Sequence, residues 1–294
     1  MRTNIHRIVY AVYLPGSKEN SGGHVVLHKL VKLMCELGYE VWTTRKPFFD
    51  CNVNIIKEST GKHHWDMSFA DGKNLIAIYP ETVEGNEFRA KNVVRWILYH
   101  AKPEVESTWN DNDVYFYYAK SFNTSKAIKK RMLTVIDAKT DVFINKGLVS
   151  KRKGCCHIIK KKQPRGEKML EYFNSVDLSD FMEKGGFSYL ADELNKYEYF
   201  VTYDDATYYS IAAALCGCKS IILNPDPRIT PDDFREGHSL FRHGVAYGWC
   251  DLNHAIMTRD LLKEDIIRAE KNSIKEIKVL NDFWENRIAN GKTN

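Results

Sequence analysis

No uncharged apolar run in this chain reaches the roughly 18 residues that a membrane-spanning helix needs. The opening stretch MRTNIHRIVYAVYLPG has too short an apolar core for a signal peptide. The seven cysteines include no C-x-x-C pair, and their odd number and irregular spacing exclude both a zinc ribbon and a disulfide framework. No repeat of fixed period and no Pro/Gly/Ser tract interrupts the chain. Also missing is a G-x-G-x-x-G turn directly after the first strand, which the dinucleotide-binding Rossmann fold requires. These absences leave a globular protein that is expected to be cytoplasmic, with reduced and mostly buried thiols.

The 294 residues suit two domains of ordinary size, each able to bury a core. HRIVYAVYL (6–14) is an apolar strand. GGHVVLHKLVKLMCELGYEVWTT follows as helix, turn and strand, with Val26, Leu30, Met34 and Leu37 on one helical face and Gly38 at the helix end. NLIAIYP (74–80) predicts a second strand, AKNVVRWILYHA (90–101) a helix, and DVYFYYA and DVFIN further strands. From about residue 154 the alternation restarts with GCCHIIK as strand, GEKMLEYF as helix, YEYFVTY as strand, ATYYSIAAALC as helix and KSIIL as strand. Beyond about residue 258 the sequence is charged and helix-forming. The expected fold class is α/β, with two Rossmann-like domains over residues 1–148 and 149–294 facing a central cleft and a terminal helix crossing back to the first.

Open α/β sheets bind ligands beyond the carboxyl ends of their strands, so candidate residues should follow strands. After the first strand, Gly22 and Gly23 permit close approach to a helix N-terminus whose N–H groups point outward, although a plain loop with a helix cap has the same composition. Glu81 follows the strand 74–80, where a general base would stand; Glu84 and Glu87 compete with it. His24, at the start of the first helix, is the rival base, against an ordinary packing role.

The formal charge of +5 is concentrated in KRKGCCHIIKKKQPRG (151–166). Arg152 precedes the strand in that run, and Lys160, Lys161 and Lys162 emerge at its carboxyl end, where a cation can stabilise a departing diphosphate. A solvated loop would look similar. After YEYFVTY, with Tyr203 at the strand's end, Asp204 and Asp205 can accept hydrogen bonds from sugar hydroxyls. The helix beginning near Thr207 offers its N-terminus to a phosphate. Asp205 or Thr207 is equally suited to capping that helix. The Asp-x-Asp of Asp111 and Asp113 precedes an apolar run instead of ending one, which reads as a turn.

In order along the chain, SGGHVVLHKLVKLMCELGYEVW, IYPETVEGNEFRAKNVVRWIL, KRKGCCHIIKKK, YFVTYDDATYYSIAAALCGCKSII and GVAYGWCDLNHA resemble a nucleotide-sugar glycosyltransferase of the GT-B fold, of the kind that builds surface glycans. The resemblance implies donor binding mainly by the second domain and acceptor binding mainly by the first. It places a donor-sugar contact at Asp204 and puts Ala212 where many retaining members carry a ribose-binding glutamate, so no ribose carboxylate transfers. It maps the diphosphate contact onto Lys160 to Lys162 and the glycine-rich loop onto Gly22 and Gly23.

The expectation is therefore transfer of a sugar from a nucleotide diphosphate donor to a hydroxyl of a glycan acceptor. No metal or other cofactor is expected, and nucleic acid is expected not to be a partner. A lipid-linked acceptor would bring the protein peripherally to a membrane surface. The alternatives are a two-domain enzyme using NAD or S-adenosylmethionine, and a non-enzymatic module binding anionic polymers.

Overall fold

The computed structural model describes residues 7–16, 22–48, 51–59, 64–126, 131–147, 149–159, 174–205, 207–223 and 226–291. The chain divides into two compact units, the first comprising Met1–Ile136 with Glu270–Asn294 and the second Asp137–Ala269. The division falls earlier than the 148/149 boundary expected from the sequence, and the chain's last residues belong to the first unit.

The first unit holds the strands β1 (Ile8–Val12), β2 (Val41–Thr43), β3 (Asn54–Ile55), β4 (Glu58–Ser59), β5 (His64–Trp65), β6 (Asn74–Pro80), β7 (Asn92–Ile97), β8 (Val114–Tyr117) and β9 (Arg131–Met132). Seven of them form one sheet in the order β3-β2-β1-β6-β7-β8-β9, with every pair parallel; β4 and β5 make a separate antiparallel pair. Parallel strands are covered on both faces, so the central ones are mostly apolar. Along β6, Ile76 and Ile78 face the helical layer, while Ala77 and Tyr79 face the opposite cluster.

The helical layer is α1 (Gly22–Glu36), whose Val26, Leu27, Leu30, Val31 and Met34 pack with Ile277, Leu280 and Trp284 near the end of the chain. The Tyr10 hydroxyl donates to Asn281 Oδ1 at 2.9 Å, and Ser273 Oγ accepts the Ile136 N–H at 3.1 Å and donates to Thr134 O at 3.0 Å. The C-terminal residues are thus part of this unit's core.

The segment expected as a helix over 90–101 contains strand β7 instead. Its six residues are all buried, with Val94 and Trp96 on the helical face and Val93 on the other. Arg95 is 1% exposed and pairs with Asp113 at 2.7 Å, with its guanidinium over the rings of Tyr79 and Trp109. Asp111, by contrast, points to solvent and meets Lys126, so the two acids of the Asp-x-Asp turn diverge. α2 (Pro103–Glu106) is a single turn between β7 and β8.

The second unit contains β10 (Cys155–His157), β11 (Val176–Asp177), β12 (Tyr199–Thr202), β13 (Lys219–Ile222) and β14 (Val245–Tyr247), parallel in the order β11-β10-β12-β13-β14. Its helices are α3 (Phe181–Lys184), α4 (Gly186–Leu194), α5 (Tyr208–Leu215), α6 (Pro231–Gly237) and the first part of α7 (Leu252–Ala289). Phe181, Leu190, Leu194, Ala212 and Ala213 cover one sheet face, and Ala255 and Leu252 at the start of α7 pack on the other. DVFIN is not a strand: Val142 and Phe143 donate backbone N–H groups to Lys139 O in a turn, and Asn145 Oδ1 accepts from Gly147 N. The expected helix GEKMLEYF lies outside the described residues. Among the described residues no helix is long and apolar enough to cross a membrane.

Candidate functional site

Because all strands of the second sheet are parallel, their carboxyl ends share one edge, and β12 delivers Tyr203, Asp204 and Asp205 to it. Thr202 fixes the turn: its Oγ1 accepts the Asp204 N–H at 3.1 Å and donates to Ile158 O, just beyond β10, at 3.1 Å. Asp204 is 1% exposed. A carboxylate held this deep keeps its position when a ligand arrives, because its backbone is already committed. Tyr209, one turn on, has its hydroxyl titration pushed up by burial and then by the negative charge of Asp204.

Thr207 is the N-cap of α5, with Oγ1 accepting the Tyr209 N–H at 3.4 Å, so of the two capping candidates the threonine fills the role. Asp205 is half-buried. It acts with Asp226 on Tyr247, at the end of β14, whose phenol is pushed up to about 12 by burial and then by these two charges. Asp226 is itself held down to about 2 by the side chain of Arg228, which it meets through both oxygens at 2.9 and 2.8 Å. The Tyr203 hydroxyl is buried and has no hydrogen-bond partner among the described residues. Tyr203, Asp204, Asp205 and Thr207 thus come together on this edge. Tyr247 and Asp226 join them although neither had been singled out from the sequence; the only signal was the position of Tyr247 at the end of a short apolar run.

Arg152 does not belong to this edge. It precedes β10, and its guanidinium donates to Leu194 O at 3.1 Å, Tyr197 O at 3.3 Å, Cys216 O at 2.5 Å, Asn195 Oδ1 at 2.9 Å and Asn145 Oδ1 at 3.1 Å. These acceptors lie before β12 and β13, at the opposite end of the strands. Arg152 therefore satisfies the terminal carbonyls of α4 and α5, and its expected contact with a donor is corrected to a structural one. Lys160 and Lys162, with Lys161, lie outside the described residues.

In the first unit, Glu81 stands at the carboxyl end of β6 and is 9% exposed. Its Oε2 accepts the Leu98 N–H, just past β7, at 3.0 Å, so the carboxylate bridges the ends of two neighbouring strands. Glu84 and Glu87 are exposed, and Glu87 is bonded to the Trp65 indole at 2.9 Å. Gly22 and Gly23 open α1, and His24 is half-buried in its first turn. The neighbouring His28, which the sequence did not single out, is buried and stacks on Phe48 with ring centroids 3.6 Å apart. Its Nδ1 accepts the Phe48 N–H at 3.2 Å. Burial, then the positive charge of His24, lowers its pKa to about 4, which makes it a neutral packing residue near neutral pH. Among the described residues no three His, Cys, Asp or Glu side chains gather where they could hold a metal ion.

No protein-family model and no curated protein matches this chain. Among solved structures it is similar to an alpha-glucosyltransferase in complex with UDP-glucose and DNA containing an abasic site, with a TM-score of 0.46 and 11% sequence identity over 92% of this chain and 94% of that one. That likeness transfers no residue role and has no bearing on a surface-glycan function. It does correct one expectation: the exclusion of nucleic acid as a partner is at odds with a similar structure that was solved with DNA.

Proposed function

We propose that the chain is a glycosyltransferase that takes a sugar from a nucleoside diphosphate donor bound at the carboxyl edge of the second sheet and passes it to an acceptor hydroxyl. The observation that carries this reading is Asp204, a carboxylate 1% exposed in a turn pinned by Thr202 and followed at once by a capped helix. Asp204 and Asp205 would accept hydrogen bonds from hydroxyls of the donor. The first N–H groups of α5 would face its phosphates. Three acids on this edge would repel a diphosphate unless cations offset them, and the lysines at 160 to 162 are proposed for that role. A metal is not required if they fill it.

In the reaction the acceptor oxygen bonds to the anomeric carbon as the bond from that carbon to the diphosphate oxygen breaks, and the electron pair leaves with the diphosphate. With inversion, the acceptor proton passes to a carboxylate, for which Glu81 is the candidate. With retention, a leaving-phosphate oxygen takes it and Glu81 contacts the acceptor. The acceptor is proposed to be a glycan.

Thermal stabilisation by UDP, GDP, dTDP, CMP, NAD and S-adenosylmethionine, with and without magnesium, tests the donor class. At a hundredfold its dissociation constant a ligand adds about 2.7 kcal/mol. Stabilisation by one nucleoside diphosphate, weakened in Asp204→Asn, supports the assignment. A response confined to NAD or S-adenosylmethionine rejects it. Transfer assays with oligosaccharide and DNA acceptors then decide the acceptor.

A further inference from the structure

In the first sheet, the face opposite α1 is packed by Trp65, Met67 and the 3-10 turn Ser68–Ala70, whose Phe69 joins the cluster around Tyr79 and Phe88. β6 is joined to β7 by 81–91, an irregular segment held by the Tyr79 hydroxyl, which accepts the Phe88 N–H at 2.7 Å and donates to Asn86 Oδ1 at 3.0 Å. Trp65, Met67 and Ala70 belong to the connection that precedes β6. The two connections do not fill the space between them, and a cavity of about 410 Å³ remains, floored by Leu75 and Phe88. That volume is in the range of small-ligand sites, about 300–1,000 Å³.

Trp65 forms one wall. Its Nε1 donates to Glu87 Oε2 at 2.9 Å, which fixes the indole and ties the two connections together. Tyr13 and Phe88 meet it edge to face, at interplanar angles of 90° and 73°, and among the described residues no ring is stacked on it. Around the rim stand Asp71, Glu87, Arg89 and Lys91, all exposed, two of each charge. Arg89 has a left-handed backbone, φ 50°, which costs a residue with a side chain about 1 kcal/mol or more. Asn86 sustains it: its carbonyl accepts the Arg89 N–H at 3.0 Å, while its side chain bonds both backbone groups of Ala90 at 3.1 and 2.8 Å.

We infer that this cavity binds a neutral saccharide unit, with an apolar C–H face of the sugar ring against Trp65 and its hydroxyls bonded to Asp71 and Arg89 at the rim. An indole face matches the C–H side of a pyranose. Carboxylate and guanidinium groups on the same rim supply the acceptors and donors that sugar hydroxyls need. A rim on which two cations balance two carboxylates suits a neutral ligand. The site does not include Glu81: Leu75 is near the start of β6 and lies about 20 Å along the strand from Glu81 at the usual rise per residue, while Phe88 reaches the strand's end by stacking on Tyr79.

Saturation-transfer NMR on the full chain tests this with short neutral oligosaccharides of glucose, mannose, galactose and N-acetylglucosamine. At least one is expected to receive transfer at its ring C–H protons. Trp65→Ala and Asp71→Ala should each weaken that binding about tenfold, while Asp204→Asn leaves it unchanged. Asp71 is on the exposed rim, so its variant keeps the test valid if Trp65→Ala perturbs folding. Absence of transfer with every oligosaccharide overturns the inference, as does binding indifferent to both substitutions. Trp65-dependent binding of a single-stranded oligonucleotide in preference to every sugar also overturns it.

Discussion

Gly217 packs directly against Arg152: a Cβ on residue 217 would come within 2.9 Å of Arg152 Nη2 and 2.7 Å of the Asn145 side chain. The glycine ends α5 with φ 97° and leaves room for the guanidinium that satisfies Cys216 O. Gly217→Ala should therefore destabilise the second unit by about 2 kcal/mol or more, through both backbone strain and the displaced arginine. Arg152→Met, which strips the carbonyls of their donor, should cost about 3 kcal/mol. In urea titrations the double variant should fall short of the sum, since each substitution disrupts the same contact.

His28 makes stability depend on pH. Its folded pKa, about 4, lies below that of an unfolded histidine, so the unfolded chain binds the extra proton between the two values. The contribution is complete above about pH 6.5 and is lost as pH falls towards 4. His28→Gln should flatten this part of the profile by on the order of 2 kcal/mol, measured as the change in urea midpoint between pH 7 and pH 4.5.

Asp204→Asn keeps the size of the side chain and the backbone N–H bond to Thr202. The folded protein should therefore melt within a few degrees of the unaltered one, while kcat/KM for the donor drops roughly 10- to 100-fold, the worth of a hydrogen bond to a charged acceptor. Unchanged kinetics would move the donor away from the edge of β12.

Glu81→Gln preserves an acceptor for the Leu98 N–H and removes the base. If the transfer inverts, kcat should fall about 10²- to 10⁴-fold with little change in KM, and the pH–rate profile should lose its acidic limb. If it retains, KM for the acceptor should rise instead. A steady-state series from pH 5 to pH 9 separates the two.

Much of the alternation was legible because buried parallel strands leave short apolar runs bounded by turn residues, as in NLIAIYP and KSIIL. The segment around β7 was not. NVVRWI carries an arginine that looks solvent-facing until the partner on another strand, Asp113, is known, and local sequence does not reveal that pairing. The same limit applies to Arg152, whose acceptors are carbonyls brought together only by the fold. Asp204 and Thr207 were legible because capping and strand-end chemistry are local; Tyr247 was not, since its place beside Asp205 depends on β13 and β14 pairing.

Tyr10, on the first strand, donates a hydrogen bond to Asn281, 271 residues further along the chain, and Ile277, Leu280 and Trp284 complete the core around β1. During translation the amino-terminal half thus emerges without the helix that seals it, and waits while the whole intervening unit is made. The usual order, in which the leading domain of a nascent chain folds first, is reversed here: the second unit can close as it leaves the ribosome, and the first is finished only after Ile277, Leu280 and Trp284 have followed it.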